Sequence, residues 1–252
     1  MNTQKREVLS KVPEVTLIFW IIKILATTLG ETGGDAVSMS MNLGYLVGTG
    51  IFAVLFIASV VAQILSKKFH PALYWTTIIT TTTVGTTLAD FVDRSLGIGY
   101  LGGTVLLLTL LTVSLLVWYR NLGSIAVDTV SSPKSEVFYW VTIMFSQTLG
   151  TAIGDWTADS AGFGYGGSAL VFGTMLGAIA AAYYWTKISR TVLFWAAFIL
   201  TRPLGAVVGD LLDKPHNEGG MALSRYFASL ALLVVIVACI CIFPQKPAKR
   251  AH

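Results

Sequence analysis

Apolar runs recur along the whole chain, separated by short polar or glycine-rich segments. Eight of them reach about 20 residues, enough to cross a hydrocarbon core of roughly 30 Å. They cover 12–32, 45–66, 71–92, 100–119, 137–157, 166–186, 190–212 and 222–243. The pattern predicts an all-α membrane protein with eight transmembrane helices. The runs come in pairs. The first of each pair carries polar residues at four-residue spacing. The second carries almost none: Val105 to Val117 and Ala228 to Phe243 are apolar apart from Thr and Ser.

The pairing reflects an internal repeat. An aromatic-Trp pair occurs four times, as Phe19-Trp20, Tyr74-Trp75, Tyr139-Trp140 and Phe194-Trp195. Each Trp is followed at +10 by glycine (Gly30, Gly85, Gly150, Gly205) and at +15 by aspartate (Asp35, Asp90, Asp155, Asp210). A small residue precedes each aspartate, and a second glycine follows at +24 (Gly44, Gly99, Gly164, Gly219). In three copies a tyrosine comes next (Tyr45, Tyr100, Tyr165). The repeats span about 14–68, 69–122, 134–188 and 189–244 of a single membrane domain, 1–252. Successive tryptophans lie 55, 65 and 55 residues apart. Copies two and four share a second aspartate (Asp93, Asp213), and copy three has Asp159 nearby. A duplicated four-helix unit explains this, with halves 1–122 and 134–252 joined by a polar linker around Gly123 to Glu136. Each copy has an even number of spans. The repeats are therefore parallel, related by a pseudo-symmetry axis normal to the membrane.

The arrangement resembles a family of bacterial inner-membrane proteins defined by a four-fold tandem repeat of unknown function. Each repeat there has two transmembrane helices and a characteristic tryptophan. The resemblance runs from Trp20 through the last span. It implies the eight-helix topology and a bacterial plasma-membrane location, and it implies no activity.

Charge sharpens the topology. Only 12% of residues are charged, against about 25% in soluble domains. The net charge is +4, yet it does not point to nucleic acid. Of 17 Lys and Arg, 12 lie in two tails and three short connections: Lys5, Arg6, Lys11, Lys67, Lys68, Arg120, Lys134, Lys187, Arg190, Lys246, Lys249 and Arg250. The positive-inside rule places these segments and both termini in the cytoplasm. Lys5 and Arg6 before an apolar run also fit a signal peptide. That run is one copy of the repeat, so it is read as a span. Trp20, Trp75, Trp140 and Trp195 are then expected as anchors near the cytoplasmic interface. Cys239 and Cys241, two apart on one helix, imply neither bridge nor metal pair.

Offsets 3, 7, 11 and 15 from each Trp share one helical face. Copy one reads Lys23, Thr27, Glu31, Asp35; copy two Ile78, Thr82, Thr86, Asp90; copy three Ile143, Gln147, Thr151, Asp155; copy four Phe198, Arg202, Ala206, Asp210. An ionised side chain at a lipid-facing helix centre costs about 2.5–3.5 kcal/mol. The first helices are therefore expected inside, around a wet cavity, with the apolar second helices outside. The aspartates come about 22 Å past the Trp, in the outer half of the bilayer. Taken singly, each is equally readable as a helix-end or turn residue. His216, Lys214 and Glu218 read as a solvated outer loop.

Two functional classes follow. The first is a transporter or exporter of a small cation. Clustered carboxylates, Thr hydroxyls and a Gln amide make an all-oxygen site suited to a divalent metal such as Mn²⁺, and no intramembrane His or Cys pair suits zinc or copper. Asp35, Asp90, Asp155 and Asp210 form the expected metal ring, with Glu31, Asp93, Gln147, Asp159 and Asp213 beside it. Closely packed carboxylates also share protons, so a proton can serve as counter-ion. The alternative is a carrier of a small anionic or zwitterionic solute held by Lys23 and Arg202, or a structural membrane protein. No nucleophile elbow, metal-protease helix or phosphate-cradling loop is present, so no enzyme is expected. The metal would be substrate, and no cofactor is implied. The expected partners are the lipid bilayer and a small cation.

Overall fold

A computed structural model describes residues 10–248. It contains eight long helices: α1 Leu17–Asp35, α2 Gly44–Leu65, α3 Pro71–Asp90, α4 Gly99–Leu122, α5 Pro133–Asp155, α6 Gly164–Trp185, α7 Arg190–Asp213 and α8 Arg225–Ile242. Six are long and apolar enough to span a membrane by themselves. The other two are α3 and α5. Both are inner helices, and their polar residues turn inward or back on the backbone. In α3 the hydroxyls of Thr77, Thr80, Thr83 and Thr87 donate to carbonyls one turn earlier, which satisfies them locally.

The inner helices α1, α3, α5 and α7 pack in a closed ring, each against the next and α7 against α1. Each outer helix covers the following repeat rather than its own: α2 packs on α3, α4 on α5, α6 on α7, and α8 on α1. The repeats thus interlock cyclically, as the parallel-repeat reading requires. Burial separates the two classes. Of the most apolar stretch, 61% is buried in α1 and 67% in α7, against 11–28% in the four outer helices.

The repeated residues are the parts of this ring. The aromatic of each pair meets the Trp of the next copy: Phe19 with Trp75, Tyr74 with Trp140, Tyr139 with Trp195 and Phe194 with Trp20, at centroid distances of 5.4, 5.7, 6.3 and 5.7 Å. Such pairs contribute about 0.5–1.5 kcal/mol each beyond area burial. This corrects the expected interfacial role of the tryptophans. Trp75, Trp140 and Trp195 are buried within the bundle, and only Trp20 is half-buried. The +10 glycines admit the +7 side chain of the next helix. Thr82 packs on Gly30, Gln147 on Gly85, Arg202 on Gly150 and Thr27 on Gly205, each too close to leave room for a Cβ. Without water to drive helices together, close approach at small residues supplies the association energy. The +24 glycines Gly44, Gly99, Gly164 and Gly219 all have positive φ, between 63° and 86°, which a side chain would strain.

Two details differ from the pattern. Helices α1, α3 and α5 each run on into a five-residue π-helical turn, at Ala36–Ser40, Phe91–Ser95 and Trp156–Ser160. The linker is also shorter than expected. Ser132 caps α5 through a reciprocal pair with Ser135, and Pro133 opens the helix, so Ser131-Ser132-Pro133 is a start signal. The two ends of the described chain meet at the Trp end of the ring, where Glu14 N–H donates to Lys246 O and Ala248 N–H to Val12 O, both at 2.8 Å. Lys11 pairs there with Glu136 at 2.6 Å. Lys5, Arg6, Lys249 and Arg250 lie outside the described residues.

Candidate ion site at the aspartate end

All sixteen residues of the four stripes are at most 3% exposed. The inner helices face one another as expected, but the expected wet cavity is replaced by layers of packed side chains. Nearest the Trp end, Lys23 lies over the Phe198 ring, 4.2 Å from its centroid, and reaches Gln147 Oε1 at 3.4 Å. One turn or two further, Arg202 spans the axis. From α7 its Nη2 donates to Glu31 Oε2 (2.8 Å), Thr86 Oγ1 (2.6 Å) and Thr151 Oγ1 (2.6 Å), and Nη1 donates to Thr27 O at 3.4 Å. A single guanidinium therefore ties together all four inner helices. The length and fork of Arg allow this; a lysine point charge would not match so many acceptors.

The next layer holds the four aspartates. They do not form a free ring, because two cations divide them into pairs. Arg94 bridges Asp90 (Nε–Oδ1 3.0 Å) and Asp155 (Nη2–Oδ2 3.5 Å), and its Nη1 also donates to the Tyr45 hydroxyl at 3.3 Å. Lys214 bridges Asp35 Oδ2 (2.9 Å) and Asp210 Oδ1 (3.1 Å). Burial alone would lower the Lys214 pKa, but the Asp210 and Asp35 carboxylates outweigh it and hold the ammonium above the ordinary lysine value. Arg225, from α8, adds contacts to Asp35 (3.6 Å) and Asp213 (3.2 Å).

One group has the donor set of a cation site. Glu31, Asp35 and Asp210 each place a carboxylate oxygen within 4.8 Å of the other two, and all three are buried. Asp35 Oδ1 has no hydrogen-bond partner there. The expected ligand set is thereby redrawn. Asp35 and Asp210 come together with Glu31, which sequence reasoning had placed beside the ring, while Asp90 and Asp155 pair on Arg94. The remaining candidates stand apart. Asp93 is buried against Gly103 of α4 with neither oxygen hydrogen-bonded. Asp213 pairs with Arg225. Asp159 is exposed and accepts from the Tyr100 hydroxyl at 3.2 Å. Gln147 serves Lys23.

Sequence reasoning missed Arg94 and Lys214 as members of the site, and read Lys214 as a solvated loop residue. The signal was present. Both lie at Trp+19, one further step of the same stripe, where the four copies read Met39, Arg94, Asp159 and Lys214. Over this layer opens a cleft of about 600 Å³ lined by Arg94, Tyr100, Ala158, Asp159, Tyr165, Lys214 and Glu218.

The family model for the Repeat of Unknown Function (DUF347) matches the chain four times, over residues 18–69, 73–123, 138–189 and 193–243. The chain belongs to this family. No curated protein and no solved structure matches it.

Proposed function

We propose that this chain is a transporter of a small divalent cation, with Mn²⁺ as the first candidate, and that Glu31, Asp35 and Asp210 are its principal ligands. The observation that carries the reading is the meeting of three buried carboxylates from two repeats inside a membrane-type helical ring. Ionisable groups buried inside a membrane-type bundle are costly even when paired, and are kept where charge is handled. The donors are all oxygen, as hard and borderline divalent ions prefer. Asp90 and Asp155 lie on the same layer and supply further acidic groups, so protons can move in exchange for metal. The anion-carrier alternative is weakened by the enclosure of its two cations. Arg202 is fully buried and committed to Glu31, and Lys23 is covered by Phe198.

The test is Mn²⁺ flux into vesicles reconstituted with the purified full chain. Asp210→Asn and Asp35→Asn should each still insert, because each removes a buried acid and leaves Lys214 the other carboxylate as partner. Each should lose most of the flux, because a hard-ion site depends on its carboxylates. Wild-type rates in both variants would reject the trio as the transport site.

A further inference from the structure

The Lys214 ammonium stands between two spaces. On one side it pairs with Asp35 and Asp210, two members of the carboxylate trio. On the other it forms part of the wall of the 600 Å³ cleft, which the acids Asp159 and Glu218 also line. Its side chain is 8% exposed, so it is nearly enclosed between the two. The buried Asp35 Oδ1 has no hydrogen-bond partner, an acceptor that the ammonium does not use.

We propose that Lys214 is the selectivity element of this site: a tethered ammonium that holds the trio against monovalent cations and yields it to a divalent one, swinging into the cleft toward Asp159 and Glu218. The inference rests on the cation-transport reading above. Formal charge gives the reason. The three carboxylates carry −3, and Arg202 on Glu31 returns +1; Arg225, which also touches Asp35, is offset by its closer partner Asp213. With Lys214 in place the group stands at −1. A monovalent ion in its place leaves the same −1, gains nothing in charge balance, and must displace a tethered group that never diffuses away. A divalent ion brings the group to neutrality and takes up the free Asp35 oxygen. The four-carbon stem of lysine is flexible enough for the swing.

The experiment follows Mn²⁺ binding to the detergent-purified full chain by the electron paramagnetic resonance signal of free Mn²⁺. Na⁺ is titrated against N-methylglucamine at constant ionic strength. In the wild type Na⁺ should leave Mn²⁺ binding unchanged. Lys214→Gln should bind Mn²⁺ about tenfold tighter without Na⁺ and lose that gain as Na⁺ rises. Lys214→Arg, which keeps the charge, should retain wild-type insensitivity to Na⁺. A second measurement needs no variant: mass spectrometry of amine labelling at Lys214 should rise with Mn²⁺ and not with Na⁺. Equal Na⁺ sensitivity of wild type and Lys214→Gln, with Asp35→Asn abolishing binding in both backgrounds, would overturn the gate and leave the site standing. Labelling of Lys214 unchanged by bound Mn²⁺ would overturn it in the same way. Absence of Mn²⁺ binding in wild type and Lys214→Gln alike would remove the gate and the transport reading together.

Discussion

The Arg202–Glu31 pair is the strongest test of how the ring is held. Both side chains are buried, at 0% and 4% exposed, so solvent does not screen them. Arg202→Met keeps an unbranched stem and helix propensity but removes four donated contacts. Glu31 is then left with Thr86 Oγ1 at 3.3 Å as its remaining hydrogen-bond donor. Removing one member of a buried ion pair strands the other, at about 3–5 kcal/mol. Glu31→Gln alone strands the guanidinium at a similar cost. The double variant, Glu31→Gln with Arg202→Met, strands no charge: the amide still hydrogen-bonds Thr86 and the shorter methionine leaves the axis uncharged. It should be more stable than either single variant, with a coupling energy of about 3 kcal/mol. The assay is reversible denaturant titration of the four proteins in one mild detergent, metal-free throughout. Additivity of the two single costs to within about 0.5 kcal/mol would show that Glu31 is not balanced by Arg202.

Two further outcomes test the packing. Gly85→Ala should lower the thermal midpoint, because the new Cβ would lie 2.9 Å from the backbone carbon of Gln147, and overpacking at about 1–3 kcal/mol exceeds the gain of about 1 kcal/mol in helix propensity; Gly173→Ala on α6, with nothing within 4 Å, should be neutral or stabilising, and equal midpoints for the two would contradict the close ring. Cysteines placed at Thr82 and Thr151 should resist a small water-soluble thiol reagent while one at Asp159 reacts, measured in a background lacking Cys239 and Cys241; labelling at Thr82 would restore the wet axis that the packing denies.

Much of the architecture was readable because the repeat writes each contact four times. A glycine at Trp+10 is one residue in one copy, but four of them mark the place where every inner helix meets the next. The polar stripe likewise gave the inner face correctly, since intramembrane charge has few other places to go. Two things were not readable. The stripe says that a face is buried, not whether water or side chains fill the space; the reach of Arg202 across the axis decides that, and reach is a property of the assembled ring. The site's cations were hidden for a different reason. Asp93-Arg94 and Lys214 lie where the apolar runs end, and a charge at the end of a span ordinarily reads as a loop residue. The π-helical turn after Asp90 and the extra helical residues after Asp210 carry Arg94 and Lys214 back over the aspartates instead. The tryptophans misled through their usual amphipathic habit, when their indoles in fact complete an aromatic layer between helices.

The placement of the two bridging cations follows the duplication. Arg94 links Asp90 on α3 to Asp155 on α5, and Lys214 links Asp210 on α7 to Asp35 on α1. Those are the two seams between the halves of the chain, α1–α4 and α5–α8. Glycine contacts join all four pairs of neighbouring inner helices alike, the seams at Gly85–Gln147 and Gly205–Thr27 included, so the bridging cations are what set the seams apart. The carboxylate trio also straddles a seam, with Glu31 and Asp35 on α1 and Asp210 on α7. Packed cores shift between discrete arrangements rather than deforming smoothly. Parting the α1–α7 seam would break the Lys214 bridge and the Arg202–Glu31 pair together and withdraw Asp210 from Glu31 and Asp35 in the same motion. On the proposed cation-transport reading, a bound ion would lose a ligand just as its tethered competitor came free, so a site built across this seam would couple release to movement.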